Sequence, residues 1–459
     1  MSAKGYRVED PTTGKVIEQF PTFTDAEATD AVERAHQAYL SWRETPIEER
    51  AKIVARVAEL FEERKQELAE IISLEMGKAV SESVEEAEFS SEIFAYYATN
   101  GAKFTEDEEI PASGGKAFIQ RLPLGVLLGI MPWNFPYYQV ARFAAPNLML
   151  GNTIVLKHAE ICPKSAQAIQ QIMDDAGVPA GVYNTLFVNH NQIEKIIEHK
   201  HLQGVSLTGS ERAGAIVAGI AGKNLKKAVL ELGGSDPYIV LDTDDVKVAA
   251  ELAWGTRMYN TGQACNSNKR LIVMDDIYEE FVAELVSLAE NMKPAKPADA
   301  GEGTFTPLSS RGAAEGLKKQ LDDAVAAGAN LRVGGELLDG ESSYFTPAVL
   351  TDVPVGSEVY YQELFGPVAT VYKVSSDEEA LALANDSQYG LGGAVFSQDE
   401  ERAQKIARKL EVGMANVNTP AGEGAEIPFG GVKNSGYGRE LGPYGMDEFV
   451  NKRLYFVGE

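Results

Sequence analysis

The sequence predicts an α/β protein built from two α/β units in series. Between residues 152 and 222, short apolar segments such as "NTIVLK" and "GVSLTG" alternate with helical segments such as "SAQAIQQIMDDAG". This alternation is typical of a parallel sheet with helices on its faces. It resumes after "AVLELGGSDPYIVL" and continues through "RLIVM", "EEFVAELVSLAENM" and "VATVYKV". A chain of 459 residues also exceeds the size at which a single hydrophobic core keeps growing, so two or three domains are expected.

The segments before the first unit carry different patterns. Apolar residues recur at three- and four-residue steps between residue 25 and about residue 101, which predicts several helices. An alternating segment around Phe118 to Arg121 then predicts a β-ribbon, and "VLLGIM" predicts a buried strand. Pro132 and Pro136 bracket a turn that leads into a helix.

Composition excludes several classes of function. A formal charge of −26 would repel nucleic acid and anionic membranes, so neither is an expected partner. Two cysteines cannot build a disulfide scaffold or a cysteine-rich zinc site, and no metal is expected. The opening "MSAKGYRVEDPTTGK" has no apolar signal core, and no run of 18 apolar residues follows. We therefore expect a soluble cytoplasmic protein.

Two residues are candidates for catalysis. Cys265 lies in "NTGQACNSNKR", a polar segment unsuited to a packed core, and all five histidines precede it by at least 64 residues. Glu231 lies in "LELGGSDP", where two glycines allow another backbone or a ligand to come close. Each has a structural alternative, because a lone cysteine is often an inert core residue and a glutamate can end a strand at the surface.

A nucleotide site has a weaker signal. Neither GxGxxG after a strand nor GxxxxGK[ST] is present. The turn "GSERAG", from Gly209 to Gly214, follows the strand "GVSLT" and opens a helix. Amides at such a helix start can bind a pyrophosphate, with Ser210 adding a hydroxyl, although a glycine pair in a turn is often only structural.

Seven segments in order resemble the motifs of the aldehyde dehydrogenase superfamily. They are "PWNFP" (132–136), "KHAE" (157–160), "GSERAG" (209–214), "LELGG" (230–234), "GQAC" (262–265), "ELFGPV" (363–368) and "PFGGVKNSGYGRE" (428–440). The resemblance covers nearly the whole chain. It implies a Rossmann-like cofactor domain of five strands (residues 1–104 and 126–230) and an α/β catalytic domain (231–420). It also implies a small β oligomerisation flap (105–125 and 446–459), which would form homodimers or homotetramers.

The resemblance assigns the chemistry to three residues. Cys265 is expected to attack the carbonyl of an aldehyde, and Asn134 with the backbone N–H of Cys265 is expected to stabilise the resulting oxyanion. Glu231 is expected to act as the base that hydrolyses the thioester. Burial should raise the pKa of Glu231, whereas the Cys265 thiol needs a lowered pKa or a base.

The resemblance also implies a nicotinamide dinucleotide and the residues that bind it. NAD is favoured over NADP, because Glu160 should accept hydrogen bonds from the adenosine ribose and repel a 2′-phosphate, while NADP stays possible. The expected cofactor-binding residues are Trp133, Lys157, Glu160, Gly209, Ser210, Gly214, Leu232, Glu363 and Phe365.

The expected substrate is a small aldehyde. "PWNFPYYQVARFAAP" and "KHAE" are most similar to enzymes that oxidise succinic semialdehyde. If a helix starts near Asn134, then Tyr138 and Arg142 share its face, and Arg142 could bind the far carboxylate of the substrate. The alternatives are a structural acid as the partner of Arg142, another semialdehyde or an aromatic aldehyde as substrate, and a thiol esterase with no redox role.

Overall fold

The computed structural model describes residues 5–338 and 340–459. Helices within the described residues are α1 (Asp25–Trp42), α2 (Ile47–Glu63), α3 (Lys65–Met76), α4 (Val80–Phe104), α5 (Tyr138–Leu150), α6 (Pro163–Asp175), α7 (His190–Glu198), α8 (Glu211–Lys223), α9 (Val246–Met258), α10 (Asp275–Asn291), α11 (Arg311–Ala327), α12 (Asp377–Asn385) and α13 (Glu400–Ala407). Strands are β1 (Tyr6–Asp10), β2 (Lys15–Phe20), β3 (Glu108–Ile110), β4 (Gly115–Pro123), β5 (Val126–Ile130), β6 (Thr153–Lys157), β7 (Tyr183–Leu186), β8 (Leu202–Thr208), β9 (Lys227–Glu231), β10 (Pro237–Val240), β11 (Arg270–Met274), β12 (Lys293–Pro294), β13 (Thr304–Phe305), β14 (Asn330–Val333), β15 (Ala348–Thr351), β16 (Val368–Val374), β17 (Tyr389–Gly390), β18 (Gly392–Phe396), β19 (Met414–Val417), β20 (Val432–Lys433), β21 (Gly436–Tyr437) and β22 (Val450–Gly458).

The first sheet contains five parallel strands in the order β9-β8-β5-β6-β7, with the short antiparallel β21 at its edge. Its central strands are almost wholly buried, as the uninterrupted apolar runs "VLLGI" and "TIVLK" require. The strand order reverses between β5 and β8, and ligands of open α/β sheets bind at the carboxyl ends of the strands at such a reversal. The expected five-stranded Rossmann-like sheet is confirmed.

The second sheet has seven strands in the order β14-β15-β16-β11-β10-β18-β19, all parallel except β14. Helices α9 and α10 pack beside it on a core that includes Trp254 and Phe281. A second core, with Leu317, Leu321 and Phe345, contains residues of α11, α12 and α13. The predicted pair of α/β units in series is therefore present.

A third, separate sheet joins β3, β4 and β22. Strands β4 and β22 pair antiparallel over nine residues, from Val450 opposite Pro123 to Gly458 opposite Gly115. The apolar residues near the chain end are exposed, with Leu454 at 60% and Phe456 at 46%. This sheet contains the segments expected to form the oligomerisation flap.

Helix α5 begins at Tyr138, so Asn134 lies in the preceding turn and not on the helix face. The expectation of a helix start near Asn134 was wrong. The reason is tertiary, since a Glu86 carboxylate oxygen accepts hydrogen bonds from the backbone N–H groups of Tyr137 (2.8 Å) and Tyr138 (3.2 Å). Such side-chain acceptors satisfy the free amides at a helix start. No helix in the described residues is both long and apolar enough to span a bilayer.

Arg257, at the end of α9, connects two loops of the second unit. Its side chain is fully buried. Its guanidinium donates to Gly262 O (3.0 Å), Ser267 Oγ (2.9 Å), Leu364 O (2.7 Å), Gly366 O (2.6 Å) and Val368 O (2.9 Å). Backbone carbonyls in these loops therefore depend on one side chain for their hydrogen bonds.

We predict that Arg257→Met lowers the free energy of unfolding by about 3 kcal/mol or more, because buried carbonyls lose a charged donor. Denaturant unfolding followed by circular dichroism measures this loss. The exposed Arg408→Met serves as a matched control and should change the stability by less than about 0.5 kcal/mol. Equal losses in the two variants would contradict the prediction.

Candidate functional site

Cys265 lies in a loop between a short 3₁₀ turn (Tyr259–Gly262) and β11. We call residues 262–269 the Cys265 loop. Asn260, Thr261 and Gly262 all have positive φ (50°, 50° and 75°), so the chain reverses sharply just before the cysteine. Left-handed backbone at non-glycine residues is uncommon and concentrates at functional sites.

The Cys265 loop is polar but buried, so the expectation that it is unsuited to a packed interior was wrong. Gln263 is 1% exposed and Asn268 is 4% exposed. The physical reason is that most of their polar groups are paired, with Asn268 Oδ1 as the exception. Gln263 donates to Asn260 O and accepts from Ser309 N, while the Asn268 amide donates to Ala253 O. Burial of polar groups is tolerated when they are hydrogen-bonded.

Asn134 contacts this loop directly. Its side-chain Nδ2 donates to Gln263 O at 3.1 Å, two residues before the cysteine. Asn260 Nδ2 in turn donates to Asn134 O at 2.9 Å. The structure thus fixes the Asn134 amide beside the Cys265 backbone. An amide has two N–H donors, and one of them stays available for an oxyanion.

Glu231 ends β9 and is 2% exposed. Neither of its carboxylate oxygens has a hydrogen-bond partner among the described residues. Burial, with a contribution from the Glu440 carboxylate, raises the pKa of Glu231 well above its ordinary value, although Arg142 acts against this shift. A buried, unpaired carboxylate with a raised pKa can act as a general base near neutral pH.

The segment after Glu231 brings the glutamate strand and the cysteine loop together. A Cβ atom on Gly234 would lie 2.5 Å from Cys265 O, so only glycine permits this approach. The two glycines of "LELGG" thus have the role expected of them, close passage of another backbone.

The Cys265 thiol is not activated by its surroundings alone. Burial raises the pKa of Cys265 to about 11, although the positive charges of Arg142 and Lys269 act to lower it. The lowered pKa that the sequence argument called for is absent. The thiol must therefore be deprotonated by a base when it reacts.

A second group of predicted residues lies at the carboxyl ends of the first sheet. Gly209 N donates to Glu231 O at 2.9 Å, which joins the "GSERAG" turn to the end of β9. Ser210 is the exposed N-cap of α8, a helix of 13 residues. A Cβ on Gly214 would lie 2.7 Å from the Leu232 side chain, so glycine is needed for α8 to pack here. These residues fit a pyrophosphate at a helix N-terminus.

Lys157 and Glu160 lie at the end of β6. The Lys157 ammonium is 2.7 Å from Glu160 Oε1, and His190 Nε2 is 4.0 Å from the same oxygen. Burial acts to raise the pKa of Glu160, but Lys157 outweighs this effect and holds the pKa below its ordinary value. The Glu160 carboxylate is therefore ionised and locally balanced by a cation.

Glu363 and Phe365 connect the cofactor end of the site to the Cys265 loop. Glu363 Oε1 accepts from Gly234 N at 3.1 Å and lies 3.1 Å from Lys269 Nζ. The Phe365 ring packs edge-on against Trp133 with centroids 5.7 Å apart. All nine residues expected to bind a dinucleotide thus lie around the ends of β5, β6, β8 and β9 or on the loop before β16.

A cavity of about 740 Å³ opens on the other side of Cys265. Aromatic side chains line much of it, among them Phe89, Phe135, Tyr138, Tyr259 and Phe429. Its lining also includes the acidic residues Glu85, Glu86, Asp236 and Glu423, and among the described residues it includes no Lys, Arg or His. An anionic substrate in this cavity would need the positive charge of a residue that lies behind the lining side chains.

Lys78 is one buried cation behind the lining, 3.8 Å from the centre of the Phe135 ring, but it is paired with Glu86. Arg142 is another. It is fully buried behind Tyr138, with its guanidinium carbon 4.7 Å from the centre of the Tyr138 ring. Its Nη1 donates to Tyr138 Oη at 3.3 Å, while its Nε lies 2.6 Å from Glu440 Oε2. The structural acid weighed against a substrate role is therefore present. Tyr138 lines the cavity, whereas Arg142 does not.

Sequence reasoning missed several residues that shape the site. Glu440 is the last residue of the motif "PFGGVKNSGYGRE", and the sequence assigned it no individual role. Lys269, four residues after the cysteine, carried no signal, since nothing in sequence shows that a lysine is buried. Within the described residues, no group of three or more His, Cys, Asp or Glu side chains could hold a metal ion.

Comparison with known proteins agrees with this geometry. The aldehyde dehydrogenase family profile matches residues 1–454. A succinate-semialdehyde dehydrogenase from Deinococcus radiodurans, named with NADP(+) as its cofactor, is 51% identical over 97% of this chain and 93% of its own length. A protein of the same name from Mycobacterium avium is 40% identical over 98% of this chain and 96% of its own length. The crystal structure of succinic semialdehyde dehydrogenase from Streptococcus pyogenes in complex with NADP+ superposes with a TM-score of 0.96 and 41% identity, covering 99% of this chain and 100% of that one.

These comparisons overturn the expectation that NAD is the favoured cofactor. The relatives are named for NADP(+), and a structural neighbour contains it. The structure supplies a physical reason, because Glu160 is not an isolated anion. Its charge is balanced by Lys157 at 2.7 Å, which weakens its repulsion of a 2′-phosphate.

Proposed function

The chain belongs to the aldehyde dehydrogenase family, and from that premise we propose that it oxidises succinic semialdehyde to succinate with NADP+ as the hydride acceptor. The observation that carries this proposal is the arrangement around Cys265. Its loop receives Asn134 from one unit, approaches Gly234 just after Glu231, and opens into the aromatic cavity.

The Cys265 thiol loses its proton to solvent in the cavity, and the resulting thiolate adds to the aldehyde carbonyl, whose oxygen becomes an oxyanion. The free N–H of the Asn134 amide and the backbone N–H of Cys265 stabilise that charge. Bound NADP+ would supply hydride acceptance. Loss of hydride from the adduct would leave a thioester of Cys265. Glu231 then takes a proton from water as the water attacks the thioester, which releases the acid and the thiol.

The residues proposed to bind NADP+ lie at the carboxyl ends of the strands of the first sheet. The start of α8 with Ser210 binds the pyrophosphate, and Glu363 binds the nicotinamide ribose beside Phe365. Lys157 binds the adenosine ribose and its 2′-phosphate, for which its ammonium is the nearest compatible charge.

Arg142 balances the substrate carboxylate. The lining of the cavity is aromatic and acidic, so a cation outside the lining must balance an anionic aldehyde. Lys78 is already paired with Glu86 of that lining, whereas the Arg142 guanidinium contacts the Tyr138 hydroxyl. Tyr138 Oη accepts a hydrogen bond from Arg142. Its own O–H can in turn donate a hydrogen bond to the substrate carboxylate, which connects that carboxylate to the guanidinium.

We further propose that the protein is a homo-oligomer in which β22 packs against a second copy. The support is the exposed apolar end of this strand, with Leu454, Tyr455, Phe456 and Val457 each at least 46% exposed. Sedimentation equilibrium measures the number of subunits.

The first prediction separates the two half-reactions. Cys265→Ala should abolish NADPH formation, whereas Glu231→Gln should keep a pre-steady-state burst of NADPH and lose turnover by about 100-fold or more, since a positioned base contributes that much. Stopped-flow absorbance at 340 nm measures the burst. A Glu231→Gln enzyme that turns over at the wild-type rate would contradict the role of Glu231 as the base in thioester hydrolysis.

The second prediction concerns Arg142. Arg142→Met should raise the KM for succinic semialdehyde about tenfold or more, because a charge-assisted interaction contributes about 1.5–3 kcal/mol. The KM for butyraldehyde, which has no carboxylate, should change little. Equal losses on both aldehydes would show instead that Arg142 only holds Glu440 in place.

The third prediction concerns cofactor choice. Wild-type enzyme should have a higher kcat/KM with NADP+ than with NAD+. Glu160→Ser should raise this preference further, because it removes the carboxylate that competes with the 2′-phosphate for Lys157. Lys157→Met should reverse the preference. Steady-state kinetics with NAD+ and NADP+ decide the matter, and an unchanged ratio in Lys157→Met would rule out phosphate binding by this lysine.

A further inference from the structure

Lys269 is a buried lysine at the end of the Cys265 loop. Its side chain is 2% exposed. Its ammonium donates to Ala264 O and Cys265 O, both at 2.7 Å, and lies 3.1 Å from Glu363 Oε1. An ammonium has three N–H donors, so these three acceptors use its full capacity.

The neighbourhood of Lys269 is a junction of three segments. Gly234 N donates to the Glu363 oxygen that faces Lys269. A Cβ on Gly233 would lie 2.5 Å from the other Glu363 oxygen, and one on Gly234 would lie 2.5 Å from Cys265 O. The Cys265 loop, the segment after Glu231 and the Glu363 loop therefore meet at one ammonium.

We infer that Lys269 is a positioning residue that fixes the Cys265 backbone and the Glu363 carboxylate together and keeps a positive charge beside the thiol. This inference rests on the proposed function, in which Cys265 is the nucleophile and Glu363 binds the nicotinamide ribose. A lysine is costly to bury, and a purely space-filling side chain at this place would be apolar. The ammonium of Lys269 has a function here, because the two carbonyl oxygens and the Glu363 carboxylate are all hydrogen-bond acceptors.

The charges around the thiol have opposite effects. Arg142 from α5 and Lys269 from the loop itself lower the pKa of Cys265, while Glu363 and Glu231 raise it. Asp236 lies near Lys269 and Glu363 and is itself buried. Removal of Lys269 or of Glu363 should thus change thiol reactivity in opposite directions, which a purely structural role would not do.

The test is the rate of alkylation of Cys265 by iodoacetamide in the full-length, cofactor-free enzyme, measured from about pH 7 to pH 10 by mass spectrometry of the Cys265 peptide. Lys269→Met should slow alkylation about tenfold at each pH, since loss of an opposite charge raises a pKa by about one unit or more. Glu363→Gln should accelerate it. Lys373→Met, an exposed lysine paired with Glu279, should match wild type.

The inference is overturned if folded Lys269→Met alkylates at the wild-type rate, or if both variants shift in the same direction. If Lys269→Met does not fold, Glu363→Gln decides, and an unchanged or slower rate overturns the inference. Alkylation requires neither aldehyde nor dinucleotide. Failure of the proposed function would appear separately, as wild-type enzyme that forms no NADPH from succinic semialdehyde.

Discussion

The burial of a polar loop is the constraint on which the rest of this site depends. Most of the Cys265 loop is buried, and Cys265 and Asn266 are its partly exposed residues, so its buried carbonyls and amides need partners inside the protein. Arg257 and Lys269 provide several of these partners, and Asn134, Asn260 and Ser309 provide others. These contacts hold the backbone on both sides of Cys265, which suits the proposed role of its N–H in stabilising an oxyanion.

The same burial sets the electrostatics. Cys265 is partly buried and Glu231 is buried, so burial favours the neutral form of both and raises both pKa values. A raised pKa suits a carboxylate that acts as a base near neutral pH, whereas it lowers the fraction of a thiol that is present as the reactive thiolate. The site offsets this effect with the positive charges of Arg142 and Lys269, and each is in turn paired with a carboxylate, Glu440 or Glu363.

The cavity shows how a strongly acidic protein can accept an anionic substrate. The chain carries a formal charge of −26, and the described lining of the cavity adds acids and no basic residue. Buried cations lie behind its aromatic lining, Arg142 at Tyr138 and Lys78 at Phe135. Arg142 pairs with Glu440, contacts the Tyr138 hydroxyl and acts to lower the pKa of Glu231, so the cavity wall and both carboxylates share one cation.

The sequence by itself determined the α/β class, the two units in series and the family, because apolar periodicity and ordered motifs are local properties of the chain. It also singled out Cys265, Glu231 and Asn134, whose roles remain proposals. The tertiary structure alone decided that helix α5 starts at Tyr138, that the Cys265 loop is buried, and that Lys157 balances Glu160. These features depend on Glu86, Arg257 and Lys269, whose partners are mostly backbone atoms. Burial and pairing of a charge depend on which distant segments the fold brings together, and a single sequence does not contain that information.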